Sequence, residues 1–213
     1  MKYIKLFENF EDYDPYELMI TPPNKKGEMI VSEIEKPEPN LNLVNDLIVL
    51  GANLDWQDND GWTALHLCAN YDRPEIARML IEAGANLNIQ NSDGSTALHL
   101  CADYDRPEIA RMLIDAGADL NIREDNDGST ALHWCAPGNR PEIARMLIDA
   151  GADVNMQTDD GGWTALHTCA YNNNSDIAKM LIDAGADKTI KNDEGELPYE
   201  LAKTEELKEL LKP

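Results

Sequence analysis

Thr63-Ala64-Leu65-His66-Leu67-Cys68-Ala69 returns almost unaltered as TALHLCA at Thr96 to Ala102, TALHWCA at Thr130 to Ala136 and TALHTCA at Thr164 to Ala170, so its histidines are 33, 34 and 34 residues apart. A fixed period of this size marks a repeat array. One copy is too small to bury an apolar face alone, and each must draw stability from stacking on its neighbours.

At the start of each motif, Thr63, Thr96, Thr130 and Thr164 are placed to N-cap a first helix, the hydroxyl accepting an orphan backbone N–H. Leu65, Cys68 and Ala69 follow at i, i+3 and i+4, a face small enough for neighbouring helices to approach closely. Asp72, Asp105, Asn139 and Asn173 come next, residue types that tolerate the left-handed conformation of a tight turn. Pro74, Pro107 and Pro141 open a second helix. Its expected inward face is Ile76, Met79, Leu80 and Ala83, with Glu75, Arg78 and Glu82 outside at i, i+3 and i+4 pairing distance. Asp176, Lys179 and Asp183 keep that charge order, a solvated ladder worth a few tenths of a kcal/mol per pair. Gly84, Gly117, Gly151 and Gly185 end the second helices.

Taken with Asp60-Gly61 before the motif and Gly84-Ala85-Asn86-Leu87-Asn88 after the second helix, the pattern resembles the ankyrin repeat. The family's usual form reads D-x-x-G-x-T-P-L-H, a second apolar helix, then G-A-D-V-N. Ala64, Ala97, Ala131 and Ala165 stand where the family has Pro, and Asp or Asn where it has Gly between the helices. The resemblance runs from about residue 41 to the C-terminus. It implies an all-α repeat fold, an α-solenoid of stacked helix pairs joined by hairpin-like loops. It also implies protein binding through the hairpin tips and the concave inner-helix face, and hydrogen bonds from His66, His99, His133 and His167 between adjacent loops.

The organisation expected is a non-repeat segment over residues 1–27, a degenerate repeat over 28–57, full copies over 58–90, 91–124, 125–157 and 158–191, and a polar C-terminal cap over 192–213. In the first segment Ile4, Phe7 and Phe10 would form one apolar helical stripe, and Thr21-Pro22-Pro23-Asn24 is read as a helix break. That segment either caps the first repeat or docks a partner by helix-in-groove recognition. In the degenerate repeat Met29, Ile30, Val31 and Ile34 mark the inner helix, and Leu41 to Leu50 the outer one.

A net charge of −22 argues against a nucleic-acid backbone as ligand and against anionic membranes, and favours a basic protein partner. No apolar run is long enough to span a bilayer, and the charged N-terminus lacks a signal-peptide core. Cys68, Cys101, Cys135 and Cys169 share one repeat position. Stacked helices lie about 8–10 Å apart, beyond the roughly 4.4–6.8 Å that bridged Cα atoms require. Four reduced thiols point to an intracellular, cytoplasmic protein.

Each histidine lies two residues before a cysteine, about 200° around a helix, so the two cannot chelate one zinc. Asp58-Asn59-Asp60-Gly61 and Asp125-Asn126-Asp127-Gly128 fail the calcium-loop template, with Trp56 or Arg123 where an early acid belongs and Leu67 or Trp134 where the bidentate Glu belongs. No phosphate loop, nucleophile elbow or unrepeated His or Cys is present. Neither a cofactor nor catalysis is expected.

What remains is a recognition surface at the non-repeating positions of the tips and inner helices. The candidates are Asp60, Trp62 and Tyr71, then Asp93 and Tyr104, then Asp127 and Trp134, then Asp160, Trp163 and Tyr171. Ser95, Asp103, Ser129, Pro137 and Gly138 occupy further such positions, while Trp56 aligns with Ile89 and Ile122 and is assigned to the core. Trp and Tyr are enriched at interface hot spots. The plainer role for Trp62 and Trp163 is packing over a neighbouring loop. The expected function is a monomeric, non-catalytic adaptor or inhibitor of a basic protein. The alternatives are an acidic mimic that occupies a nucleic-acid-binding groove, and a rigid spacer carrying an N-terminal docking peptide.

Overall fold

The computed structural model describes residues 14–213. The stripe of Ile4, Phe7 and Phe10 lies outside the described residues. Within them the chain is helical, with one isolated bridge pairing Gln157 and Thr164. α1 (Pro15–Ile20) leads into α2 (Pro23–Ile34) and α3 (Leu41–Val49). The four full copies are α4 (Ala64–Tyr71) with α5 (Pro74–Glu82), α6 (Ala97–Tyr104) with α7 (Pro107–Asp115), α8 (Ala131–Cys135) with α9 (Pro141–Asp149), and α10 (Ala165–Asn172) with α11 (Ser175–Asp183). The last pair is α12 (Pro198–Leu201) and α13 (Glu205–Leu211).

Two layers result. α2, α4, α6, α8, α10 and α12 pack each on the next as an inner row, and α3, α5, α7, α9, α11 and α13 do the same outside. The motif residues explain the seam: Leu65, Cys68 and Ala69, with their counterparts in each copy, are at most 2% exposed. Asp72, Asp105, Asn139 and Asn173 take φ of 55°, 58°, 50° and 62°, the left-handed turn foreseen for them. α8 is shorter than its counterparts because Pro137 cannot donate into the helix.

Three details differ from the sequence reading. Ala83 is exposed, because the helix ends at Glu82 and the chain turns at Gly84, and Ala77 is buried instead. The convex charges do not pair within α5, α7, α9 or α11. Arg78 meets Glu108 of the next outer helix at 3.4 Å, and Arg111 meets Glu142 at 3.7 Å. Stacking sets the first turn of one outer helix beside the middle of its predecessor, and such exposed pairs contribute at most about 1 kcal/mol. Finally, Pro22-Pro23 does not merely break a helix. It starts α2, with Pro23 in the first turn, where its missing N–H costs nothing.

α2 therefore begins ahead of Gly27. A Cβ at Gly27 would strike the Asn53 carbonyl oxygen and the Trp56 side chain, so only glycine lets α2 lie this close to the loop after α3. Lys26, 4% exposed, donates to the Leu50 carbonyl at 2.7 Å, placing its charge at the negative end of α3. Leu18 of α1 joins the core, whereas Tyr16, Met19 and Ile20 are exposed.

All four cysteines are free and buried. Burial pushes their thiols far up, Cys135 to about 12. Since the thiolate is the reacting form, the native protein should react with a thiol reagent such as DTNB at least about a hundredfold more slowly than the chain unfolded in urea. Fast labelling of even one thiol in the native protein would contradict this closed seam.

Candidate protein-interaction surface

The face opposite the charged ladder is built on a buried network. The backbone N–H of Thr63 donates to His66 Nδ1 at 3.1 Å, with the Thr63 hydroxyl 2.8 Å from the same nitrogen. Nδ1 is thus an acceptor, which puts the ring proton on Nε2 and aims it at the Ser95 carbonyl, 2.9 Å away in the next loop. His99 reaches Ser129 O at 3.3 Å, His133 reaches Met156 O and Trp163 O at 3.1 Å each, and His167 reaches Glu196 O at 3.2 Å. Threonine and histidine form a reciprocal capping box in each copy, the hydroxyl facing the histidine N–H, 3.4 Å at Thr164, and the ring taking the threonine N–H. Burial holds all four imidazoles below their ordinary range, His99 at about 4.

A second ladder joins the tips. Ser92 N–H donates to Asp60 O, Asp125 N–H to Asp93 O and Asp193 N–H to Gly161 O, at 2.9, 3.1 and 3.0 Å. Gln57, Gln90 and Gln157 each bridge their own loop and the next with one side-chain amide. Arg123 does the same with a guanidinium, bonding Gly128 O and Gln157 O and pairing with Asp159 at 2.7 Å. The sequence reading missed these residues, although the recurrence of Gln at one register was there to be seen.

On this frame the non-repeating residues alternate in size. Trp62 and Trp163 stand where the two middle copies have Ser95 and Ser129, so the surface sinks over each serine. Trp134 rises between the hollows, at the position of Leu67, Leu100 and Thr168. The first hollow, about 190 Å³, brings together Trp62, Asp93, Asp103, Tyr104, Glu124 and Trp134. The second, about 260 Å³, gathers Asp127, Trp134, Pro137, Asp160 and Trp163. No Lys or Arg lines either one. Tyr171 lines neither; it packs edge-on against Trp163 at 5.5 Å, beneath the Lys203 ammonium 4.6 Å from its ring. Tyr71 is 40% exposed and Asp60 is also exposed, outside both hollows. Trp56 packs half-buried against the core. A larger groove of about 560 Å³ lies on the convex side between α9 and α11, where Arg145, Asp149, Asp176 and Lys179 mix both signs of charge.

Glu124 is the residue of this face that sequence reasoning passed over. It stands where Asp58 and Asn91 turn back to cap their own loops. One methylene longer and next to an inserted residue, Glu124 instead accepts from the Ser95 hydroxyl of the preceding loop at 3.0 Å, and is 4% exposed. Burial pushes its carboxyl up to about 7. Burial also acts upward on Asp127, but hydrogen bonds from Ser129 and Glu124 outweigh it, so Asp127 lies below the usual carboxylate range. The Trp134 indole N–H is shielded from solvent beside the same carboxyl and has no partner at hydrogen-bonding geometry.

A family model for ankyrin repeats (3 copies) matches residues 33–124 and 119–192. The chain belongs to the ankyrin-repeat family. No curated protein matches it. Ankyrin repeats mediate protein–protein interaction, and the inner-helix face and tips of this ankyrin array are where its copies diverge in side chain. Among the described residues no cluster of three or more His, Cys, Asp or Glu side chains is placed to hold a metal ion, and no helix is long and apolar enough to cross a membrane.

Proposed function

We propose that this ankyrin array is a non-catalytic adaptor or inhibitor that takes a basic protein partner across its tips and concave face. One observation carries the reading. Trp62, Tyr104, Trp134 and Trp163 share a surface with Asp93, Asp103 and Asp160, three carboxylates that form no ion pair among the described residues, on a chain of net charge −22. Aromatic anchors ringed by unneutralised acids suit a cationic surface. Association should be steered by charge and weaken as salt rises.

Capture from source-cell extract with wild-type bait beside a Trp62→Ala/Trp163→Ala bait, identified by mass spectrometry, tests this. The expected result is a basic protein retained by wild type and weakened about a hundredfold or more in the double variant, hot-spot losses of 2 kcal/mol or more being usual for buried aromatic anchors. Identical proteins retained at equal affinity on both baits would move recognition away from this face.

A further inference from the structure

The two hollows share Trp134, and each combines aromatic walls with carboxylates. The first has Trp62, Tyr104 and Trp134 around Asp93 and Asp103; the second has Trp134 and Trp163 around Asp127 and Asp160. His99 and His133, which also line them, stay neutral because burial lowers both, so neither repels a cation. A planar guanidinium stacks on indole faces and presents a fork of donors to carboxylates, which an ammonium does not.

The hollows belong to successive repeats, whose inner helices lie about 8–10 Å apart in such a stack. An extended polyproline II segment has three residues per turn and rises about 3.1 Å per residue. Residues i and i+3 therefore point the same way, about 9 Å apart, and match the repeat spacing.

We propose that the hollows on either side of Trp134 receive the guanidinium groups of two arginines three residues apart in one extended segment of the partner, with the Trp134 indole between them. This rests on the concave face being a dock for a basic protein and specifies how that protein is read.

The test is NMR titration of the full ¹⁵N-labelled chain, following the four indole N–H signals, with the peptide Ac-Arg-Pro-Pro-Arg-amide. The controls are Ac-Lys-Pro-Pro-Lys-amide and Ac-Arg-Arg-Pro-Pro-amide. The expected result is that the first peptide shifts Trp62, Trp134 and Trp163 and leaves Trp56 in place, binding at least tenfold more tightly than either control. Two variants should remove that advantage. Trp134→Leu installs the residue that Leu67 and Leu100 already place at this position, and Ser129→Trp fills the second hollow with the residue that Trp62 and Trp163 place at theirs. If all three peptides bind this face equally and neither variant matters, the paired-arginine site is overturned while the basic-partner reading stands. If none of them shifts any indole other than Trp56, both fall.

Discussion

Replacing His99 with alanine is expected to cost the array about 3–5 kcal/mol, measured as the loss of unfolding free energy in urea. Two buried groups lose their partner, the Thr96 N–H at 3.1 Å and the Thr96 hydroxyl at 2.8 Å, while the Ser129 carbonyl loses its 3.3 Å contact and keeps the Glu124 N–H at 3.0 Å. Each unsatisfied buried group costs about 1–3 kcal/mol, and the missing ring leaves a cavity besides. A loss within about 0.5 kcal/mol, the scale of an ordinary surface substitution, would show that the histidine ladder adds nothing to the stack.

The same ladder sets the response to acid. All four histidines sit below their ordinary 6.5 in the folded protein, His99 at about 4. As pH falls through 6.5 the unfolded chain binds protons that the folded chain refuses. The stability due to His99 is therefore complete above pH 6.5 and is lost as pH falls towards 4. Glu124 acts in the opposite sense. With its folded value raised to about 7 from 4.5, its contribution is complete below pH 4.5 and is lost as pH rises through 7. Asp46, also raised by burial, acts in the same sense as Glu124. Four histidines outweigh these two, so unfolding free energy should decline from pH 6.5 to 4.5. The decline should be steeper in Glu124→Gln, which removes one opposing group, and flatter in His99→Ala.

Gly94→Ala is expected to cost about 3 kcal/mol and to divide the array. Gly94 has φ of +78°, and a Cβ there would run into the backbone nitrogen and side chain of Asp125 in the next loop. That nitrogen donates the 3.1 Å bond to Asp93 O that joins the two tips. The left-handed strain accounts for about 1–2 kcal/mol, and displacement of the tip-to-tip bond for about 1 more. Gly84→Ala is the control. Its φ is +87°, but nothing lies within 4 Å of the added carbon, so only the strain should register. Stability in a repeat array is a sum of copies and the interfaces between them. Damage between the second and third full copies should therefore split urea unfolding into two steps or broaden it, whereas Gly84→Ala lowers the midpoint alone. Equal effects of the two substitutions would show that contact across the tips is not what Gly94 protects.

The fold follows from rules that act within one copy of the repeat. A motif recurring at 33 and 34 residues, helix-opening Thr and Pro, turn-forming Asp and Asn, and C-cap Gly are local rules, and local rules repeated four times leave a single architecture open. They also located the seam cysteines, and the family resemblance supplied the loop-to-loop histidine bonds. They did not say what neighbouring copies do to one another. Arg78 pairs with Glu108 rather than within its own helix, and Ala83 lies beyond the last turn in contact with solvent, because both depend on how outer helices stack. The candidate surface was half visible. Trp62, Tyr104, Trp134 and Trp163 stood out as departures from the repeat, yet only packing shows that Ser95 and Ser129 open hollows between them while Tyr171 turns away onto Trp163. Glu124 is the clearest case. In sequence it is one acid among forty Asp and Glu residues. Only the preceding loop, which covers it and sets the Ser95 hydroxyl against it, makes it a group that holds a proton near neutrality. That burial arises between segments 29 residues apart, and no local pattern carries it.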